Sequence, residues 1–392
     1  MLGLYLKGVG ILTGLIIGAG VFALPYAFAK AGLFWGLVHL LLGFIVILLL
    51  HKWYGEVAYY TKGARRLTGY AQIYLGNKAK FIALIITIGS YYGSMLAYGL
   101  LGGKFLSNFF DFFNGYTEQL LTIAFFGAGA LLSLFSIKRI GNISFYLTAP
   151  LIGFIFYFIY IAAPSISLDN FLTQPDWLYN ADWFLPYGVW LFSLSGFAAL
   201  PEVRDLFEKT SLIKFKKAIS ISLFLSAIFY LLFIFVVLGS SGSLVTEDAL
   251  SGAARVLGAK ALTIGSLIGF FAVFTSYLAL LVSLKNIFRF DYKAPFALSW
   301  LISFLPPIAM YLVGINELIS ILSIVGTVGM GVLGVFIIFM RYGMARTLKN
   351  GDKNDVVKEI RTDAIKFNPL LEGAVLFGLI SAIVYDLWTI FT

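Results

Sequence analysis

Long apolar runs alternate with short polar links along the whole chain. A bilayer core takes roughly 20 apolar residues per helix. On that measure eleven spans emerge, at 8–30, 34–58, 79–109, 119–136, 141–162, 182–207, 215–239, 259–288, 295–313, 316–340 and 371–391. The pattern predicts an all-α polytopic membrane protein. Two links carry a mixed pattern: the one holding Ala64 to Tyr70 predicts a short interfacial helix, and Thr246 to Gly258 an amphipathic loop helix. Residues 341–370 form the one long hydrophilic connection and are expected to be exposed to solvent. The first apolar run lacks a small-residue cleavage site and reads as a retained helix.

Two spans are interrupted near their middle. Span 1 contains Gly18-Ala19-Gly20-Val21-Phe22-Ala23-Leu24-Pro25, and span 6 contains Gly196-Phe197-Ala198-Ala199-Leu200-Pro201. The second motif repeats the Gly, Ala, Leu and Pro of Gly20 to Pro25 at the same places. Glycine and proline favour a break in a helix. Backbone groups freed inside a bilayer must then be satisfied by protein, water or solute. Two breaks in corresponding positions point to the solute site of a secondary transporter. Five spans separate them, so the second unit enters the membrane the opposite way up. This divides the chain into a first five-helix repeat (1–162), an extracellular loop (163–181), an inverted second repeat (182–340), a cytoplasmic linker (341–370) and an eleventh helix (371–392).

A helix that stops at Gly18, Ala19 and Gly20 leaves free amides where its second half begins, and these suit a carboxylate. The carbonyls just before the break suit a cation or an ammonium group. Span 6 offers the same groups at Ser193, Ser195, Gly196 and Phe197. Opposed breaks of this kind grip both ends of a zwitterion without charged side chains. The competing reading is that the glycines serve close helix packing.

Composition narrows the field. The chain is 60% hydrophobic and 12% charged, with mean hydropathy +0.93, which excludes a soluble globular protein. Its net charge of +9 does not indicate nucleic acid, because the basic residues sit in the links. With the N-terminus cytoplasmic, only Lys30, Lys104, Arg255 and Lys260 fall on the outer side. That asymmetry predicts a multi-pass plasma-membrane protein with its N-terminus inside and its C-terminus outside. The absence of cysteine and the presence of only two histidines argue against thiol chemistry and a histidine metal site. No cluster suited to enzyme chemistry stands out. A channel would show a wetted face on several helices rather than two breaks.

Ile17 to Pro25 resembles the first-helix signature of the amino acid/auxin permease family, and Ser195 to Val203 resembles the sixth-helix signature of its prokaryotic members. That family belongs to the amino acid–polyamine–organocation superfamily, with a leucine-transporter-type fold. The resemblance implies secondary active transport of amino acids. Gly18, Ala19 and Gly20 would then meet the substrate carboxylate, and Ser193, Ser195, Gly196 and Phe197 the amino group and side chain.

In span 8, Ala272, Thr275 and Ser276 are spaced i, i+3, i+4 and share a helix face. The Ala272 carbonyl and two hydroxyls offer hard oxygens to one point. In sodium-coupled members of the fold such a pattern joins two first-helix carbonyls, here those of Gly14 and Ile17. Hydroxyls in membrane helices also bond back to their own turn. Proton-coupled relatives can place a lysine in span 5 where its ammonium replaces the ion, and this span has none from Ile143 to Ala162, which favours sodium over protons; the alternatives are a proton-coupled permease or an amino acid exchanger. No cofactor other than the coupling ion is expected. Tyr91, near the middle of span 3, is placed to bring a hydroxyl to the substrate or simply to pack between helices. Glu202 is a candidate proton carrier or gate, or a surface acid paired with Arg204. Few charges near the breaks point to a neutral amino acid, with lipid as the surrounding partner.

Overall fold

The computed structural model describes residues 2–63, 65–110, 116–134, 150, 152–172, 180–208, 210–349 and 367–391. Every regular element among them is helical. This follows from the solvent, since a helix satisfies its backbone bonds within one segment and lipid offers none. In chain order the helices are α1 (Leu2–Ile16), α2 (Gly20–Ala31), α3 (Leu33–Tyr60), α4 (Leu67–Leu75), α5 (Asn77–Ser107) and α6 (Thr117–Leu132). After α7 (Ile152–Ser165) come α8 (Leu185–Ser193), α9 (Leu200–Leu206), α10 (Leu212–Ser241), α11 (Leu250–Leu257) and α12 (Ala259–Asn286). The last four are α13 (Phe296–Leu312), α14 (Leu318–Ile324), α15 (Gly331–Lys349) and α16 (Pro369–Phe391).

Among the described residues six helical segments are long and apolar enough to cross a membrane, and α1 with α2 together meet the same measure with a bend of 51° between them. Shorter apolar helices lie where spans 4, 5, 6 and 9 are expected. The start of span 5 falls outside the described residues. The two polar links fold as anticipated into the short helices α4 and α11.

Both interruptions are present. The helix of span 1 stops at Ile16 and resumes at Gly20, while span 6 stops at Ser193 and resumes at Leu200 after a 3₁₀ turn at Phe197–Ala199. A π turn, Val325–Met330, joins α14 to α15 within one span.

The exposed connection expected from residue 341 begins later than the pattern indicates. Helix α15 continues to Lys349, and Arg341 is buried. Its Nε donates to Glu56 of α3 at 2.5 Å, and its Nη1 donates to Glu372 of α16. Lys216 of α10 also donates to Glu56. Two cations facing two carboxylates largely neutralise one another, which is what lets charge sit inside the protein. The Arg341 guanidinium also lies 4.4 Å over the Phe367 ring. The network joins four helices, and no local pattern reveals it.

Candidate functional site

The two broken helices cross where their ends meet. A Cβ placed on Gly20 would fall 2.0 Å from Ser193 Oγ and 2.7 Å from Ser193 Cα. Gly20 has no positive φ, so glycine is needed there for space rather than for conformation. Across the junction, the Tyr230 hydroxyl of α10 lies 2.7 Å from the Ile16 carbonyl oxygen and 2.7 Å from that of Ser193. One proton therefore serves two carbonyls at the negative ends of two half-helices.

A cavity of about 60 Å³ lies against the second break. Its walls come from several helices, among them α12 through Leu280 and Ser283. Along α5, Thr87, Ser90, Tyr91, Ser94 and Tyr98 recur at helical spacing on one face. From the second break come Phe192, Ser195, Phe197 and Ala198, and Tyr54 and Met330 close the sides. At one end stand Arg66 and Leu67, on the link rich in basic residues. A second cavity, about 50 Å³, is bounded by Leu15, Tyr98, Ser195, Gly196 and Ser276 and shares part of this wall. Each has room for only a few waters, far below the volume of a typical small-molecule site. Cargo the size of an amino acid must therefore widen the space as it enters.

On the other side of the first break the packing is closed by aromatic rings. Phe22 meets Phe105 at 4.9 Å and Phe233 at 5.8 Å between ring centroids, and Phe158 meets Phe233 at 5.6 Å. All four are fully buried. The cavity and this plug lie on opposite sides of the junction.

The sequence candidates separate into groups. Ser195, Gly196, Phe197 and Tyr91 line the cavities. Gly18, Ala19, Gly20 and Ser193 do not. Gly18 lies behind Ser276 and Tyr98, where an added Cβ would be 3.0 Å from Ser276 Oγ and 3.2 Å from the Tyr98 hydroxyl. The Ser193 hydroxyl bonds back to the Val189 carbonyl at 2.6 Å. Among the ion candidates, Ser276 faces Gly18 and lines the smaller cavity. Thr275 instead donates to the carbonyls of Phe271 at 3.0 Å and Ala272 at 3.1 Å, within its own turn. Gly14 and Ile17 lie in the last turn of α1 and in the break that follows it. Glu202 falls within α9, and its side chain lies outside the described part of the structure.

Three contributors escape the sequence reading. The rest of the hydroxyl stripe on α5 is visible in principle, as polar residues at 87, 90, 94 and 98 beside Tyr91 in an apolar helix. Tyr230 carried no such signal. Nor did His51, whose Nε2 lies 3.0 Å from the Gly196 amide nitrogen.

Two interrupted membrane helices packed around an internal cavity are the architecture of a secondary transporter. Solved structures that share the fold of this chain include two. One is MhsT in complex with L-phenylalanine, with TM-score 0.63 at 15% identity, covering 98% of each chain. Another is Mhp1, a nucleobase-cation-symport-1 family transporter in a closed conformation with bromovinylhydantoin bound. It has TM-score 0.63 at 13% identity over 97% of this chain and 90% of that one. The chain belongs to the tryptophan/tyrosine permease family, whose pattern it matches over residues 3–358. No curated protein matches its sequence. The fold is thus of the leucine-transporter type, and the protein is a secondary transporter for amino acid-like substrates rather than an enzyme. The family shown is the tryptophan/tyrosine permease family, not the amino acid/auxin permease family that the motifs resemble.

Proposed function

We propose that this protein carries a neutral aromatic amino acid across the plasma membrane by alternating access, with sodium as the co-transported ion. The observation that carries the reading is the wall of the main cavity. It combines the rings of Tyr54, Tyr91, Tyr98, Phe192 and Phe197 with serine and threonine hydroxyls, and Arg66 at one end is its one charged lining residue. Such a wall favours a flat apolar side chain and offers no carboxylate to a basic one. The family match supports the same cargo class.

The amino and carboxyl groups would be met by backbone at the two breaks, including Ser195, Gly196 and the Gly18-Ala19-Gly20 amides once the cavity widens. Sodium would sit between the carbonyls of Gly14, Ile17 and Ala272 and the hydroxyls of Thr275 and Ser276, with Thr275 turning away from its own helix. Spans 1, 2, 6 and 7 would rock against spans 3, 4, 8 and 9. With the N-terminus cytoplasmic, the Arg66 end of the cavity faces inward and the phenylalanine plug outward. Ion and solute assist each other because each orders span 1, and such coupling is reciprocal.

The test is uptake of a radiolabelled amino acid panel by proteoliposomes with and without a sodium gradient. Saturable uptake of tryptophan, tyrosine or phenylalanine, stimulated by inward sodium, is expected. Uptake driven by a proton gradient alone removes sodium but keeps the carrier. Flux that never saturates and shows no counterflow overturns the carrier itself.

A further inference from the structure

His51 lies in α3, fully buried, and reaches the second break. Its Nδ1 is 2.9 Å from the Ile47 carbonyl oxygen, and its Nε2 is 3.0 Å from the Gly196 nitrogen. A carbonyl only accepts and a backbone amide only donates. Both contacts are satisfied together by one form of the ring, neutral with its proton on Nδ1. Nδ1–H then donates to Ile47, and Nε2 accepts the Gly196 N–H. In an unbroken helix the amide at 196 would bond to the carbonyl four residues back. The break removes that acceptor, and the imidazole takes its place.

The same ring stacks on Phe197, with centroids 4.0 Å apart and planes inclined by 26°. Phe197 lines the main cavity beside Ser195 and Ala198. Space around Gly196 is tight as well, since an added Cβ would lie 2.8 Å from Ile16 Cγ1 and 3.4 Å from His51 Nε2. One side chain on α3 thus holds the interrupted backbone and the aromatic ring that follows it.

We propose that His51 is a positioning residue for cargo: it keeps the second break unwound and, through Phe197, sets the aromatic slot in which the substrate ring packs. The proposal rests on reading the cavity as the cargo site. His51 touches backbone and Phe197 and acts on the substrate only through them.

Two variants divide its roles. His51→Gln retains an acceptor for the Gly196 amide without the ring, and His51→Phe retains a ring against Phe197 without the acceptor. An orphaned buried amide shifts an equilibrium by roughly tenfold to a hundredfold. His51→Phe should therefore raise KM for tryptophan by about tenfold or more, with a smaller change in maximal rate. His51→Gln should recover most of that loss while relaxing the preference for aromatic over aliphatic amino acids. Equal KM for His51→Phe and wild type, or a folded His51→Gln no better than His51→Phe, overturns the proposal.

A second measurement does not depend on cargo. The sequence has two histidines, His39 and His51, so nitrogen-15 histidine NMR of the wild-type protein in nanodiscs resolves both rings, with His51→Gln assigning the signals. A neutral His51 protonated at Nδ1 and bare at Nε2 supports the bond to Gly196. A proton on Nε2 at neutral pH overturns it. If the wild type accumulates no aromatic amino acid, the transport reading falls, and the resonance still decides whether His51 holds the break.

Discussion

The two copies of the Gly-x-x-Ala-Leu-Pro motif fold differently. After the first break, α2 begins at Gly20 itself, and Pro25 lies inside the helix. After the second, Gly196 precedes a 3₁₀ turn, and Pro201 lies in the first turn of α9, where a missing N–H costs nothing. The first break is bonded largely from within: the amides of Ile17 and Gly18 reach the carbonyls of Thr13 and Ile16, each at 2.9 Å. The second is longer and borrows its acceptor from His51 on another helix. Near-identical local sequence thus yields a short kink in one place and, in the other, a longer opening with an amide held by a side chain of another helix. Only the second supplies motif residues to the cavity walls. The cargo side of the site is therefore expected to respond to the second break, and the integrity of the crossing to the first.

Gly20→Val should have the largest effect, costing about 3 kcal/mol or more and abolishing uptake. Its branches would meet Ser193 main chain, which cannot swing aside; a melting curve and a transport assay together check this. Tyr230→Phe comes next. It leaves the Ile16 and Ser193 carbonyls short of their shared donor, and a loss of about 1–3 kcal/mol is expected. A variant as stable as wild type would show that the two breaks are not tied through this hydroxyl. Gly196→Ala should be milder, about 1 kcal/mol, because the nearest atom is the flexible Ile16 side chain. A rise in KM larger than its loss of stability would sharpen the assignment of cargo contacts to this break. The smallest effect on folding belongs to Thr275→Ala, within about 0.5 kcal/mol, since its hydroxyl bonds only to its own turn. Combined with Ser276→Ala, it should remove any tightening of amino acid binding by sodium, measured by calorimetry with and without the ion.

Much of the architecture was legible in residue order. Spans, short loop helices and both interruptions follow from apolar length and from where glycine and proline fall. The site was readable only in part. Ser195, Gly196, Phe197 and Tyr91 line the cavities, and they are legible because breaks and mid-span polar groups leave local marks. Ser193 carries the same marks, yet its hydroxyl turns back to Val189, because a serine in the last turn of a helix has an acceptor in reach on its own turn. Arg341 was assigned to solvent because a charge after an apolar run ordinarily marks a membrane edge. Its partners, Glu56 and Glu372, lie on other helices, and pairing across 285 residues for Glu56 has no local signature.

Apolar periodicity and the placement of glycine and proline were enough to specify a helical membrane protein with two interrupted spans, because the bilayer forces every backbone group to find a partner. Which partner each freed group takes was decided only in three dimensions. A hydroxyl on α10 and an imidazole on α3 reach the breaks through packing among distant segments. Hydrogen bonds depend on distance and direction in space, and separation along the chain carries neither.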